Sequence, residues 1–345
     1  MSDTPSSCPT GTAVIVGRWQ LFHKGHETLL HAALATAQQV IVVIGSAFCS
    51  RDVRNPFSWE ERQAMIEATL PPTTRTRVRF LPVREYFDDA RWNAAVREGL
   101  RQLTGGEGSV TLVGFKRDHS SDYLDHFPTW TWKSVEREFD IDATALRNVY
   151  FEGLDPDARL AVLRPHVNAQ VLAYLQAWAH LPVYAQRVKE HLAVVQYRKK
   201  WTADAYLTAD AVLVASGHVL LVRRGGEVGH GQWALPGGFV DKNERFYAAA
   251  VRELTEETGF KTLDSTLLQA LKANEVFDHP LRSARGRLVT HAFYFDLGHI
   301  RLPEVQGADD ALEAKWVALA DLPQLEDQLF EDHAAILDRF VGVYR

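Results

Sequence analysis

Two aliphatic runs, TAVIV at 12–16 and QVIVVIG at 39–45, flank a stretch where Leu29, Leu30, Ala33, Leu34 and Ala37 recur at helical spacing. Short apolar runs without polar alternation read as strands buried on both faces. Strand, helix and strand in so short a span form a βαβ unit, and such a crossover joins parallel neighbours. The pattern continues with SWEERQAMIEATL (58–70) as a helix, VRFLPV (78–83) as a strand, ARWNAAVREGLRQL (90–103) as a helix and SVTLVGF (109–115) as a strand. An α/β domain on a parallel sheet follows.

From Asp155 to Trp201 the character is helical, with Pro165 and Pro182 where first-turn prolines belong. These helices are expected to close the first domain, 12–195, after a disordered tail at 1–11. The second domain, 196–345, reads as mixed α+β. DAVLVAS, Gly217-His218 and VLLVRR form a hairpin, and GRLVTHAFYFDL (286–297) and AKWVALA (314–320) supply further strands. Helices are expected at 244–258 and 324–341.

The chain has 345 residues, 46% hydrophobic and 24% charged, enough for two globular domains. A net charge of −6 without a long basic run argues against a nucleic-acid partner. Cys8 and Cys49 cannot make a disulfide framework. MSDTPSSCPTG has no apolar segment of the signal-peptide kind, and no apolar run approaches the roughly 20 residues of a membrane span. A cytoplasmic protein is the expectation, with no membrane partner; a homo-oligomer is left open.

Residues 238–260 read GFVDKNERFYAAAVRELTEETGF. On a helix Glu253, Glu256 and Glu257 stand at i, i+3 and i+4, a spacing at which like charges repel. Either the face is solvated, or a divalent cation offsets the repulsion, since carboxylate oxygens are ligands that Mg²⁺ takes. Arg252 lies four residues before Glu256. Further on, Arg282, Arg285 and Arg287 precede a strand, as a phosphate-binding group or as a solvated basic loop.

In the first domain GRWQLFHKGH (17–26) turns from strand to helix and carries Gly17, Arg18, His23, Lys24 and His26. A helix N-terminus offers unpaired N–H groups and partial positive charge, so such a turn is a ready anion site. No GxxxxGK followed by Ser or Thr occurs, which excludes a P-loop. His26, Glu27 and His31 have the wrong spacing for a zinc-protease helix. Trp92 belongs to a Trp92, Val96, Leu100 stripe, so it is either a core residue or an exposed stacking ring.

Both constellations resemble known families. Gly238, Glu244, Arg252, Glu253, Leu254, Glu256, Glu257, Gly259 and Phe260 fit the Nudix box at every position. That resemblance implies hydrolysis of a nucleoside diphosphate linked to another moiety. Metal would be held by Glu253, Glu256 and Glu257, with Glu244 nearby and Arg252 orienting the carboxylates. The cation is expected to be Mg²⁺, with Mn²⁺ as an alternative. The turn is similar to that of the HxGH nucleotidyltransferases, whose fold is Rossmann-like, and its GR(F/W)QxFHxGH form looks most like the archaeal-type nicotinamide mononucleotide (NMN) adenylyltransferases. Arg54-Asn55-Pro56-Phe57 with Glu61-Arg62, Gly114-Phe115-Lys116-Arg117-Asp118 and Ile141-Asp142-Ala143-Thr144-Ala145-Leu146-Arg147 resemble further motifs of that family. In the last, Asp142 replaces the usual serine.

Together the two domains resemble the bifunctional NMN adenylyltransferase/Nudix hydrolases. The resemblance implies AMP transfer from ATP to NMN, giving NAD, and hydrolysis of ADP-ribose to AMP and ribose 5-phosphate. His23 and His26 are then expected on the ATP phosphates, Arg18 and Arg147 neutralising charge and Thr144 donating a hydroxyl. Lys116 and Asp118 would serve the adenosine side, Arg54 and Asn55 the nucleotide, and Trp92 the nicotinamide ring. An HxGH enzyme with another phosphorylated acceptor and a Nudix domain that senses ADP-ribose are the competing readings.

Overall fold

The computed structural model describes residues 11–106, 108–115, 127–137 and 141–344. Residues 1–10 of the expected tail, with Cys8, and the candidates Lys116 and Asp118 lie outside the described residues. The chain divides into two compact units, one of Met1–Phe48 and Asn55–Val188, the other of Cys49–Arg54 and Lys189–Arg345. The division falls inside a long helix, Pro182–Lys200, so no change of composition marks it.

In the first unit the strands are β1 (Thr12–Gly17), β2 (Gln39–Ala47), β3 (Val78–Arg84), β4 (Val110–Gly114) and β5 (Thr131–Ser134). They pair in the order β3-β2-β1-β4-β5, every pair parallel. Ala13 and Ile15 of β1 face one buried cluster while Val14 faces another with Val96 and Leu100, so the central strand is covered on both sides. The helices are α1 (Lys24–Thr36), α2 (Trp59–Ala68), α3 (Pro72–Arg75), α4 (Asp89–Thr104), α5 (Ala143–Tyr150), α6 (Pro156–Leu163), α7 (Ala169–Trp178) and α8, the long helix already given. Strand order reverses between β1 and β4, so the turns leaving their carboxyl ends border the crevice where open α/β sheets bind ligands.

The second unit holds β6 (Tyr206–Ala215), β7 (His218–Arg224), β8 (Trp233–Ala234), β9 (Gly237–Phe239), α9 (Phe246–Thr258), α10 (Asp264–Ala270), β10 (Leu271–Phe277), β11 (Leu288–Asp296), β12 (Ala311–Ala318) and α11 (His333–Val341). Its sheet runs β10-β11-β6-β7-β12, with β8 on β7 and β9 on β6. Ser216 and Gly217 both have positive φ, the two-residue hairpin turn that matches strand twist. Helix α9 packs through Ala249, Ala250 and Leu254 and stops at Gly259, whose φ of 64° lets its N–H reach Thr255 O.

The helix expected over 324–341 is a correction. A 3-10 helix covers Leu319–Gln328, the chain then extends, and α11 begins only at His333. Buried Leu329 and Phe330 pin the extension, and the Phe330 N–H donates to Trp233 O at 2.8 Å. Tertiary pairing outweighs local helical propensity there.

Candidate active sites

The turn after β1 holds its shape through buried side chains. Trp19 and Leu21 have positive φ, a conformation that non-glycine residues keep only when their surroundings enforce it. Trp19 is buried and its Nε1 donates to Val43 O at 2.8 Å. Gln20 is clamped to the 55–57 segment: its Nε2 donates to Phe57 O at 3.1 Å and its Oε1 accepts from Phe57 N at 3.2 Å. Fully buried Arg62, from α2, donates to the carbonyls of Arg18, Gly45 and Ser46.

On this frame the His23 and His26 rings stack 3.7 Å apart, and His26 also meets the Trp19 ring edge-on at 4.9 Å. Gly25 makes the stack feasible, because a Cβ there would lie 3.2 Å from the His23 ring. His23 is the N-cap residue of α1, so the imidazole pair stands where the helix presents its N–H groups. Arg147 reaches the same turn from α5, donating to Gln20 O at 3.3 Å and to Thr144 Oγ1 at 3.2 Å. Arg147 is 4% exposed, whereas Arg18 is exposed and is held in the turn through its backbone carbonyl, which accepts from Arg62.

Other candidates fall elsewhere. Lys24 Nζ donates to Pro165 O at 2.7 Å, so it ties α1 to the turn before α7. Arg54 belongs to the second unit, where it donates to Leu281 O and, at 2.6 Å, to Ser283 O. Asn55 Oδ1 accepts from Gln20 Nε2 at 3.4 Å. Trp92 is half-buried on α4, edge-on to Phe127 at 6.5 Å. Asp142, the departure from serine, is the N-cap of α5 and accepts from Thr144 N at 2.7 Å. Serine and aspartate cap equally well, which explains the exchange. Asp142→Ala is expected to cost about 1 kcal/mol of stability in a denaturant titration, and Asp142→Ser a few tenths at most.

The second unit brings its carboxylates together around one arginine. Arg252 donates to Glu244 twice at 2.9 Å, to Glu253 at 2.7 Å, to Glu256 at 2.9 Å and to Phe239 O at 3.0 Å. Its bond lowers the Glu244 carboxyl below the ordinary range, whereas burial raises Glu253. Glu257 accepts instead from Gly237 N at 3.0 Å. Burial pushes its carboxyl up to about 9, and a hydrogen-bonded Asp310 adds to the rise. Gly237 and Gly238 allow the approach, since a Cβ on Gly238 would stand 2.3 Å from Glu253 Oε1.

Among the described residues no three Asp, Glu, His or Cys side chains converge at cation-holding distances, Arg252 being the shared partner of Glu244, Glu253 and Glu256. The donor set nonetheless suits a divalent cation. Clustered carboxyls of one sign, two of them raised and one of these buried, are the arrangement that such a charge would relieve.

A cleft of about 300 Å³ opens beside these carboxylates, lined also by Asp210, Arg224, Arg282, Arg285, Asp310 and Glu331. Arg282 pairs with Asp332 through two 2.8 Å bonds, and Arg285 meets Glu331 at 3.0 Å. Arg287 instead donates to Asp278 O and does not line the cleft. Sequence reading missed Glu331 and Asp332 because they sat inside an expected helix. It also missed Asp310, whose only signal is the Asp309-Asp310 pair ahead of β12. Backbone bonds from Gln306 and Ala308 to Thr258 O and Glu257 O hold that loop against the end of α9.

Asp210 accepts from Thr290 and is raised to about 6 by burial. The folded protein therefore keeps a proton that the unfolded chain releases above pH 3.8. This contribution, about 3 kcal/mol, is present below pH 3.8 and lost as pH rises through 6. Asp210→Asn is expected to flatten the decline of the thermal midpoint between pH 4 and 6.

Comparison with known proteins matches both domains. A cytidylyltransferase-like family model covers residues 14–149 and a NUDIX domain model covers residues 205–340. Fold and site thus define a nucleotidyltransferase domain followed by a Nudix domain. A nicotinamide/nicotinic acid mononucleotide adenylyltransferase from Acinetobacter baylyi is 31% identical over 169 residues, 47% of this chain and 90% of that protein. An ADP-ribose pyrophosphatase from Methanocaldococcus jannaschii is 34% identical over 119 residues, 34% of this chain and 65% of that one. The crystal structure of a bifunctional NMN adenylyltransferase/ADP ribose pyrophosphatase from Francisella tularensis, complexed with AMP and a Mn ion, superimposes with a TM-score of 0.87. It is 30% identical, with 96% of this chain and 99% of that one covered. The chain belongs to the family of bifunctional NMN adenylyltransferase/Nudix hydrolases. No helix among the described residues is long and apolar enough to cross a membrane.

Proposed function

We propose that the first unit transfers AMP from ATP to NMN, giving NAD and pyrophosphate, and that the second hydrolyses ADP-ribose to AMP and ribose 5-phosphate. The observation that carries the reading is the stacked His23–His26 pair on the α1 N-terminus, in a chain that also carries the half-buried Glu253 and buried Glu257 carboxyls.

In the transferase the 5′-phosphate oxygen of NMN attacks the α-phosphorus of ATP in line, and pyrophosphate leaves without a covalent enzyme intermediate. Such transfer asks the protein for position and charge rather than covalent chemistry. His23 and His26 donate to the ATP phosphates alongside the first N–H groups of α1. Arg147 and Arg18 neutralise the charge that grows on the leaving pyrophosphate, and Thr144 adds a hydroxyl. Gln20 and Arg62 position the turn, and Trp92 stacks on the nicotinamide ring. Lys116 and Asp118 take the adenosine side; Gly17, Lys24 and Asn55 shape the site's surroundings.

In the hydrolase Glu253, Glu256 and Glu257, with Glu244, would hold Mg²⁺ or Mn²⁺. A divalent cation held there would supply Lewis-acid charge to the diphosphate and make an attacking water more acidic. Arg252 gathers three of these carboxylates and Gly238 leaves them room. Arg282 and Arg285 build the cleft floor through their own carboxylates. The names of the relatives, ADP-ribose pyrophosphatases, support ADP-ribose as substrate over NADH and diadenosine polyphosphates.

A panel with the purified chain and Mg²⁺ tests both halves: NMN with ATP, then ADP-ribose, NADH and diadenosine polyphosphates. Turnover of the first pair and of ADP-ribose is expected. Failure of NMN with ATP would sink the transferase assignment, and preference for NADH would replace the hydrolase one.

A further inference from the structure

Four guanidinium groups line the cleft of the second unit, and three are committed to carboxylates of the chain itself. Arg252 holds Glu244, Glu253 and Glu256; Arg282 is locked to Asp332; Arg285 is locked to Glu331. Arg224, at the end of β7, is different. Its Nε donates to Val228 O at 3.3 Å, and among the described residues no carboxylate lies within ion-pair distance and its two terminal nitrogens have no acceptor.

The surroundings sharpen the point. Arg224 stands 4.1 Å over the Phe330 ring, and Arg285 stands 5.1 Å over the same ring. Two cations thus share one ring while a single carboxylate, Glu331, pairs with one of them. Burial and the Arg285 charge push the Arg224 pKa down, only partly offset by Glu331, Asp310 and Glu257, none of which is within ion-pair distance of it. A desolvated guanidinium with four idle N–H donors is costly, and its planar fork matches a phosphate oxygen pair.

We propose that Arg224 is the anion-binding side chain of this cleft, its two terminal nitrogens receiving a phosphate of the nucleoside diphosphate held beside the carboxylates. The inference rests on the hydrolase reading above and moves the phosphate contact away from Arg282 and Arg285. Phe330 supplies the flat support that keeps the fork facing the cleft.

The test compares Arg224→Gln and Arg224→Lys with the wild-type full chain. For ADP-ribose hydrolysis, R224Q should raise KM roughly 10- to 100-fold with kcat within about threefold, the signature of lost uniform binding. R224K should recover part of the loss, since it restores charge without the fork. NAD synthesis should be unchanged, and the thermal midpoint of R224Q should stay at or above wild type, because a half-buried charge without an ion-pair partner has gone. An unchanged KM overturns the proposal, as does a lowered midpoint accompanied by loss of kcat, which would make Arg224 a packing residue. If the wild type hydrolyses no ADP-ribose at all, the hydrolase reading fails separately. Calorimetric titration of inorganic pyrophosphate into the His23→Ala chain then decides: binding that disappears on adding R224Q supports the anion site, and equal binding refutes it.

Discussion

NAD synthesis by His23→Ala is expected to fall by about 10²–10³-fold, with ADP-ribose hydrolysis by the same protein unchanged. The size follows from what the ring does. In a transfer without a covalent intermediate, each donor aimed at developing phosphate charge lowers the barrier directly, and His26 and Arg147 are already engaged and do not replace the one that is lost. The location is equally telling, because His23 is 6% exposed and stacked on His26, which itself leans on Trp19. Alanine removes a donor and one layer of that stack but leaves the Gln20 and Arg62 clamps on the turn. Steady-state assays of both reactions on one preparation check the outcome. Loss of both activities in a protein with an unchanged thermal midpoint would contradict two independent sites.

The converse is expected of Glu257→Gln, which lowers ADP-ribose hydrolysis by about 10³-fold and spares NAD synthesis. Glutamine keeps the shape and can still accept from Gly237 N, so the loop-helix junction stands. It cannot carry the negative charge that draws a cation into the cleft. Because burial already pushes the Glu257 carboxyl up to about 9, the amide resembles the state this side chain holds at neutral pH without metal. The metal-free thermal midpoint should therefore match wild type within a degree or two, while the rise on adding Mn²⁺ should shrink. A midpoint that rises with Mn²⁺ as steeply as in wild type would remove Glu257 from the cation's ligands.

The parallel sheet was legible because both its signals are local. Aliphatic runs such as VIV and VIVVI mark doubly covered strands, and β1, β2, β3 and β4 lie within two residues of the expected spans. The strand β5 was not, since TWKS carries no aliphatic run and pairs only at the sheet's edge with β4. The box helix was legible because the i, i+3, i+4 spacing of Glu253, Glu256 and Glu257 is itself the one-face relation. The break at Leu329–Asp332 was not, because a helical pattern in 324–341 says nothing of Trp233, almost a hundred residues earlier, whose carbonyl takes the Phe330 N–H.

Sequence by itself determined the two domain types, the His-Lys-Gly-His turn with its following helix, and the carboxylate helix, since each depends on neighbours within a few turns of chain. Tertiary structure alone decided which charges are satisfied. Lys24 went to Pro165, Arg54 to Leu281 and Ser283, Arg282 to Asp332 and Arg285 to Glu331, leaving Arg224 facing the cleft without a carboxylate among the described residues. Pairing of buried charges is settled by distances across the fold, and desolvation makes each such pairing decisive, so no spacing along the chain encodes it.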